Sequence, residues 1–378
     1  MSLFSIVLIS VTLYYVLTLL CFIIGLNKNK CSNISLSIKK PPVSVIIAIY
    51  NGERALPRLI NSLKKQNYTG IIEFILCDDS STDNSSEIIK AVALTDPRFK
   101  YTHSKFGDSQ LNLKKRNLDA GIKSAQHEIL LFTDVDCIIQ LSWVSSMIKY
   151  FTNEVDFLIG YSEVDHASSW VAKFQKIDFF LLMAAARAMS NLGYSWACSG
   201  QNIAYRKSLF EKVGGFSKLT GKLQGDDSLF LQLCRKIGNA RVKFVMDQDG
   251  FVRCRTEAKL FPFIKQRLRW SGDANIMWQY NKIFFISILC TFLTNAGLFC
   301  SIFIYGNTIF VHSWIINLFF LKFCMELSLL LSANNRFDRH FTISSFVKWF
   351  IIQIPFIFFM GVGSFFAKQL GWRGRKLT

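Results

Sequence analysis

No Cys-x-x-Cys pair occurs among the 10 cysteines of this 378-residue chain. Thiols scattered in this way, four of them in or near apolar segments, exclude a disulfide framework and a zinc site and fit a reducing compartment. No Gly-x-Gly-x-x-Gly follows the first strand-like run, and no Gly-x-x-x-x-Gly-Lys-Ser/Thr occurs anywhere. Those absences remove the two common phosphate loops, and with them a dehydrogenase or a P-loop NTPase. There is no internal repeat, no low-complexity tract and no interleaved basic and aromatic platform. Nucleic acid is therefore not an expected partner. Acidic residues are in deficit, 26 against 44 Lys and Arg, for a formal net charge of +18. That charge has two uses, attracting anionic headgroups at membrane ends and drawing a nucleotide diphosphate into a basic cleft.

What the chain has in excess is apolar length. Half of it is hydrophobic, with 36 Phe, more than one soluble core of this size buries. Segment 3–26 carries no charge, and at about 1.5 Å per residue it is long enough to cross a bilayer core. It has no basic region before it and no small-residue cleavage site after it, so residues 1–27 read as a retained anchor. Lys28, Lys30, Lys39 and Lys40 follow, which places the next segment in the cytoplasm by the positive-inside bias. Segments 283–306, 308–332 and 343–367 repeat the apolar pattern, and residues 368–378 form a basic tail. Lys322 and Glu326 interrupt the second of these at a four-residue spacing and are expected to pair inside the bundle. Arg336, Arg339 and the tail's Lys368, Arg373, Arg375 and Lys376 cannot all be cytoplasmic with four full spans. One C-terminal segment is accordingly expected to be re-entrant or interfacial.

Between about 40 and 275 the pattern alternates between strands and helices. Residues 43–50 (VSVIIAIY) form a continuous β-branched run, as a strand covered on both faces requires. A helix is expected where Leu56, Leu59, Ile60 and Leu63 recur, and further strands at 71–77, 99–103 and 128–133, with a helix across 115–125. The predicted class is α/β, a doubly wound, mostly parallel sheet in a cytosolic domain flanked by N- and C-terminal transmembrane helices. Such sheets bind ligands beyond the carboxyl ends of their strands. Tyr50-Asn51, Asp78-Asp79 and Asp134-Val135-Asp136 fall at those ends.

Three acidic clusters and one mixed cluster carry the chemistry. Asp134 and Asp136, one residue apart, can hold a hard divalent ion, Mg²⁺ or Mn²⁺, that bridges diphosphate oxygens; alone, such a loop is more often simply solvated. Asp78 and Asp79, followed by Ser80, Ser81, Thr82 and Asp83, can accept from a base or ribose, or can form a capped turn, the role expected of Asp83. Asp226 and Asp227 precede an apolar helical face, where a carboxylate is either a cap favoured by the helix dipole or a general base for an acceptor hydroxyl. Gln266, Arg267, Arg269 and Trp270 offer an amide, two guanidinium groups and a ring suited to diphosphate and a sugar face, or to an interfacial collar.

In this order the clusters resemble those of a membrane-bound family 2 glycosyltransferase with the GT-A fold, over roughly residues 41–275. The resemblance implies that Tyr50, Asn51, Glu53, Asp78 and Asp79 lie beside the nucleotide. It implies that Asp134 and Asp136 coordinate the metal diphosphate, and that Asp227 is the catalytic base with Asp226 as its neighbour. Gln266, Arg269 and Trp270 match the family's Gln-x-x-Arg-Trp at the donor diphosphate and acceptor site, with Arg267 beside them. The stretch 198–206, with Gly200 and Asn202, resembles an acceptor-side loop. The expected activity is inverting, metal-dependent transfer from a nucleotide-diphosphate sugar, with UDP as the expected nucleotide, to a lipid or lipid-linked acceptor at the cytoplasmic face of a bacterial cell membrane. A processive polysaccharide synthase is the alternative. Gly225-Asp226-Asp227 stands where synthases of the family commonly read Thr-Glu-Asp, and at most three apolar segments follow the domain, which favours single transfer over a polymer-conducting pore.

Overall fold

The computed structural model describes residues 2–28, 40–165, 168–222 and 224–369. The linker at 29–39 and the basic tail from 370 onward lie outside the described residues. Along the chain run α1 (Leu3–Asn27), β1 (Val43–Ile49), α2 (Leu56–Lys64), β2 (Ile72–Asp78), α3 (Ser85–Thr95), β3 (Phe99–His103), α4 (Leu113–Ser124) and β4 (Ile129–Phe132). Next come β5 (Ile138–Ile139), α5 (Trp143–Ile148), β6 (Phe157–Gly160), β7 (Ser162–Val164), α6 (Trp170–Asn191), β8 (Ile203–Arg206), α7 (Lys207–Lys212) and α8 (Ser228–Lys236). The chain closes with β9 (Val242–Val245), β10 (Val252–Cys254), α9 (Leu260–Ala274), α10 (Lys282–Tyr305), α11 (Ser313–Phe337) and α12 (Ile343–Gly363).

These elements sort into two compact units. One comprises residues 40–165 and 195–256 and is built on a seven-stranded sheet in the order β3-β2-β1-β4-β8-β6-β9, with a small second sheet β5-β10-β7. The four strands expected from sequence pair in parallel. β8 runs antiparallel to both β4 and β6. Every residue of β1 is buried, which is why its sequence is an unbroken apolar run rather than an alternating one. Val45, Ile47 and Ile49 pack with Leu56, Leu59 and Leu63 of α2 and with Phe74 and Leu76 of β2. Ile46, on the opposite face, lies against Gly121 of α4. Helices thus cover both faces, and burying each such side chain contributes about 1.5–3 kcal/mol. Parallel pairing of β1 with β2 sets Ile49 opposite Asp78, so the chain leaves both strands at one edge.

The other unit comprises residues 2–28, 168–194 and 257–369. α6 and α9, which fall within the stretch 40–275, group with the terminal helices. Among the described residues four helices are long and apolar enough to cross a membrane, α1, α10, α11 and a span over Ile343–Phe366, which marks the chain as membrane-associated. The three C-terminal ones are each one continuous helix over α10, α11 and α12. The expected Lys322–Glu326 pair is present, 2.8 Å apart and wholly buried. Gln353 of α12 accepts from Lys322 at 2.7 Å and donates to Glu326 at 3.2 Å, and the Tyr15 hydroxyl of α1 donates to Glu326. All four side chains have a partner, as polar groups at membrane depth require. All nine described cysteines are free, in keeping with their lack of paired spacing.

Replacing Lys322 alone by Met strands the Glu326 charge and is expected to cost about 3–5 kcal/mol. The pair Lys322→Met/Glu326→Gln removes both charges and should regain most of that loss, read as the thermal unfolding midpoint in detergent.

Candidate active site

The first turn of α4 organises the sheet edge. Lys114 Nζ lies 3.0 Å from Asp134 Oδ1 and 2.9 Å from Asp226 Oδ2, so one ammonium ties two acidic clusters 92 residues apart in sequence. Lys115 is fully buried and donates to the carbonyls of Lys222 and Gln224, which fixes the loop leading to Asp226. Asn117 donates to the carbonyls of Ile49 (3.2 Å) and Cys77 (2.8 Å), pinning the ends of β1 and β2. Leu113, Asn51 and Ser80 hold left-handed backbone at φ 53°, 50° and 58°, a cost that non-glycine residues bear where the surroundings impose it.

Asp227 caps α8, accepting from the Ser228 N–H, and also accepts from Gly200 N at 3.4 Å. Gly225 before it sits at φ +106°, and a Cβ there would meet Leu229, so only glycine fits the approach to this cap. Gly200 lies over the acid pair: a Cβ on it would come 3.3 Å from Asp226 Oδ2 and 3.4 Å from Lys114 Nζ. The Ser228 hydroxyl bridges N and O of Cys198 and holds this loop on α8. Burial, and then the adjacent Asp226, push the Asp227 carboxyl up to about 6. Burial would raise Asp226 too, but the Lys114 charge outweighs it and holds Asp226 below the usual carboxylate range. Burial would lower Lys114, and its two carboxylates instead hold it well above its ordinary value. Neighbouring carboxylates driven apart in this way suit one charged and one proton-accepting role.

The nucleotide-side residues of the sequence reading meet at the ends of β1 and β2. Asn51 Oδ1 accepts from Thr82 N (2.8 Å), and the Glu53 carboxylate accepts from Asn84 Nδ2 (2.8 Å). Tyr50 is half-buried, while Asp78 and Asp79 are buried and Asp78 accepts from Ser81 N within its own turn. Asp83, one residue before Asn84 at the N-cap of α3, accepts from the N–H groups of Ser85 and Glu53. Asn202 departs from expectation. It is wholly buried, and its amide is consumed by Trp143 Nε1 and by the carbonyls of Tyr161 and Gly250. It holds the core beneath the loop that carries Gly200.

Gln266, Arg267, Arg269 and Trp270 lie on α9, in the other unit. Arg267 is 7% exposed and donates to Asp178 of α6 at 2.9 Å, so its guanidinium is engaged inside its unit rather than offered to a diphosphate as expected. Gln266, Arg269 and Trp270 are half-buried. Lys114 and Asp178 are not among the site residues expected from sequence. Lys114 had a faint signal in its basic helix start; Asp178 had none, since it sits in an apolar helix.

Asp134 and Asp136 offer oxygen donors only, and the Lys114 ammonium beside Asp134 shows that the position accommodates a cation. Among the described residues no three His, Cys, Asp or Glu side chains gather into a cage. Two carboxylates of this kind are the donors a hard divalent ion takes when phosphate and water complete its shell.

Residues 44–214 match the family model described as Glycosyl transferase family 2, and residues 137–360, more than half of the chain, match Glycosyl transferase family group 2. A poly-beta-1,6-N-acetyl-D-glucosamine synthase of Staphylococcus epidermidis is 29% identical over 177 residues, 46% of this chain and 41% of that enzyme. The UDP-Glc:alpha-D-GlcNAc-diphosphoundecaprenol beta-1,3-glucosyltransferase WfgD of Escherichia coli is 28% identical over 149 residues, 37% of this chain and 54% of that enzyme. The chain thus spans about half the length of these curated relatives. The solved mannosyltransferase PcManGT of Pyrobaculum calidifontis, in complex with GDP-Man and Mn²⁺, superposes with a TM-score of 0.60 over 89% of this chain and all of that one, at 17% identity, a likeness of fold.

Lys114→Met leaves Asp134 and Asp226 without their shared cation and is expected to cost about 1–3 kcal/mol in thermal unfolding. Lys114→Arg, which keeps the charge, should retain most of the stability.

Proposed function

Because this chain belongs to glycosyl transferase family 2 and is a glycosyltransferase, we propose that it is an inverting enzyme of GT-A fold. On this reading it moves a single sugar from a UDP-linked donor to a lipid-linked acceptor at the cytoplasmic membrane face. The observation that carries the reading is the acid pair of buried Asp226 and half-buried Asp227, joined to the Asp-x-Asp cluster through Lys114 and carrying one carboxyl, Asp227, pushed up to about 6. An acceptor hydroxyl is too weak an acid to ionise unaided, and a carboxylate titrating near the working pH takes its proton most effectively as the new bond forms.

In this mechanism Asp227 accepts the hydroxyl proton on Oδ, and the acceptor oxygen attacks the anomeric carbon from the side opposite the diphosphate. The bond to the diphosphate breaks, and one displacement inverts the configuration. Asp226 stays charged under Lys114 and keeps Asp227 basic. The turns at Tyr50-Asn51-Glu53 and Asp78-Asp79 seat the base and ribose. Asp134 and Asp136 would hold a divalent ion, Mg²⁺ or Mn²⁺, which supplies Lewis-acid stabilisation of the leaving diphosphate. Gln266, Arg269 and Trp270 are assigned to the diphosphate and sugar, where a planar guanidinium and an indole face suit those groups.

The likeness to a diphosphoundecaprenol-linked glucosyltransferase supports the lipid acceptor and the UDP donor. The likeness to a poly-N-acetylglucosamine synthase favours a second reading, processive synthesis. Labelled UDP-sugars supplied to native membranes separate the two. Product extracted into organic solvent supports single transfer to lipid, and large water-soluble polymer supports processivity. No product from any labelled nucleotide sugar would sink both.

Asp227→Asn is expected to lower transfer by about 10²–10⁴-fold with donor affinity nearly unchanged, as measured by isothermal titration with UDP. The unsubstituted enzyme should lose kcat/KM about tenfold per pH unit below pH 6, where Asp227 is protonated, and level off above it.

A further inference from the structure

Asp178 is a charge that the proposed chemistry does not use. Its Oδ2 accepts from Arg267 Nη2 across α6 and α9. The guanidinium carbon of Arg267 lies 4.5 Å from the ring centroid of Trp270, and the ring of Phe179, next to Asp178 on α6, lies 5.9 Å from that indole at a tilt of 44°. Two adjacent residues of α6 therefore grip two residues three apart on one face of α9. Burial raises the Asp178 carboxyl while the Arg267 charge and then the Trp349 indole oppose the shift, so holding a charge here is costly. Buried ion pairs are commonly replaceable by apolar side chains of similar volume with no loss of stability. An apolar replacement lacks direction, however. A planar guanidinium held at one end by a carboxylate can lie over a ring face in one orientation, and that attraction is strongest where water is excluded.

We infer that Asp178 is a positioning residue, which acts through Arg267 to fix the plane of the Trp270 indole and so to present its remaining surface to the sugar. The inference deepens the proposed function and rests on the assignment of Trp270 to sugar binding. With Asp178 in place, Arg267 covers one part of the indole, Phe179 abuts another, and the ring keeps one orientation. Without it the guanidinium has no anchor and the indole samples several.

The test uses the full chain, labelled with 5-fluorotryptophan and purified in detergent, with the Trp270 resonance identified by its loss in Trp270→Phe. Asp178→Asn and the apolar pair Asp178→Leu/Arg267→Met are compared with Asp178→Glu for the fluorine spectrum, the unfolding midpoint and kcat/KM with UDP-glucose or UDP-N-acetylglucosamine, whichever the native protein turns over. The apolar pair should regain the native unfolding midpoint yet shift or broaden the Trp270 resonance and lower kcat/KM by about tenfold or more. Asp178→Glu should restore both in part. If the apolar pair recovers turnover together with stability, or if the Trp270 resonance is unmoved in both variants, Asp178 is structural and the inference is wrong. If Trp270→Ala leaves kcat/KM unchanged, the assignment of Trp270 fails instead, while the fluorine spectrum still decides whether Asp178 orients the ring.

Discussion

One ammonium group holds the sheet edge together. Lys114 stands between Asp134 and Asp226, and without a cation at that point two carboxylate clusters at a buried edge would repel each other. The sheet delivers Asp134 from the end of β4, and α8 delivers Asp226 and Asp227; neither element sets the distance between them. The first turn of α4 does. Lys115 and Asn117, one and three residues on, fix the loop before Asp226 and the ends of β1 and β2, so a single helical turn references four separate loops to one another.

The parallel half of the sheet was legible in the sequence because buried parallel strands must be apolar without interruption, and VSVIIAI is. The acid clusters were legible because they end such runs. β6, β8 and β9 were not; β4 is as short, but it was marked by its place in the strand–helix alternation that opens the domain, and these three are not. Asn202 was misplaced for a different reason. Its neighbours belong to a rim loop, but it is one residue short of β8 and already turned into the core, and no local signal separates a buried Asn with three partners from an exposed one. Arg267 misled in the same way. Periodicity correctly put it on one face with Trp270, yet what that face meets is decided by Asp178, 89 residues away, in a helix whose composition gave no hint of a charge partner.

Both embedded ion pairs answer the same physical demand at different depths. Lys322 and Glu326 share a helix, so their spacing announced them; Arg267 and Asp178 are on different helices, so theirs could not. Each charge is costly to desolvate, and each is retained beside an opposite charge. In the first, Tyr15 and Gln353 complete the set from two further helices, and α1 is thereby joined to the C-terminal bundle by directional contacts as well as by apolar packing.

The reversed strand β8 has a further effect. In an all-parallel sheet every segment reaches the ligand edge on leaving a strand. Because β8 runs against its neighbours, the 198–202 segment arrives there on its way in, with Asn202 as an anchor and Gly200 two residues upstream over the acids. What Asp227 meets from that segment is a peptide N–H. The contact to Asp227 is thus written in main chain, which insulates the electrostatics of the base from the side-chain identity of that segment.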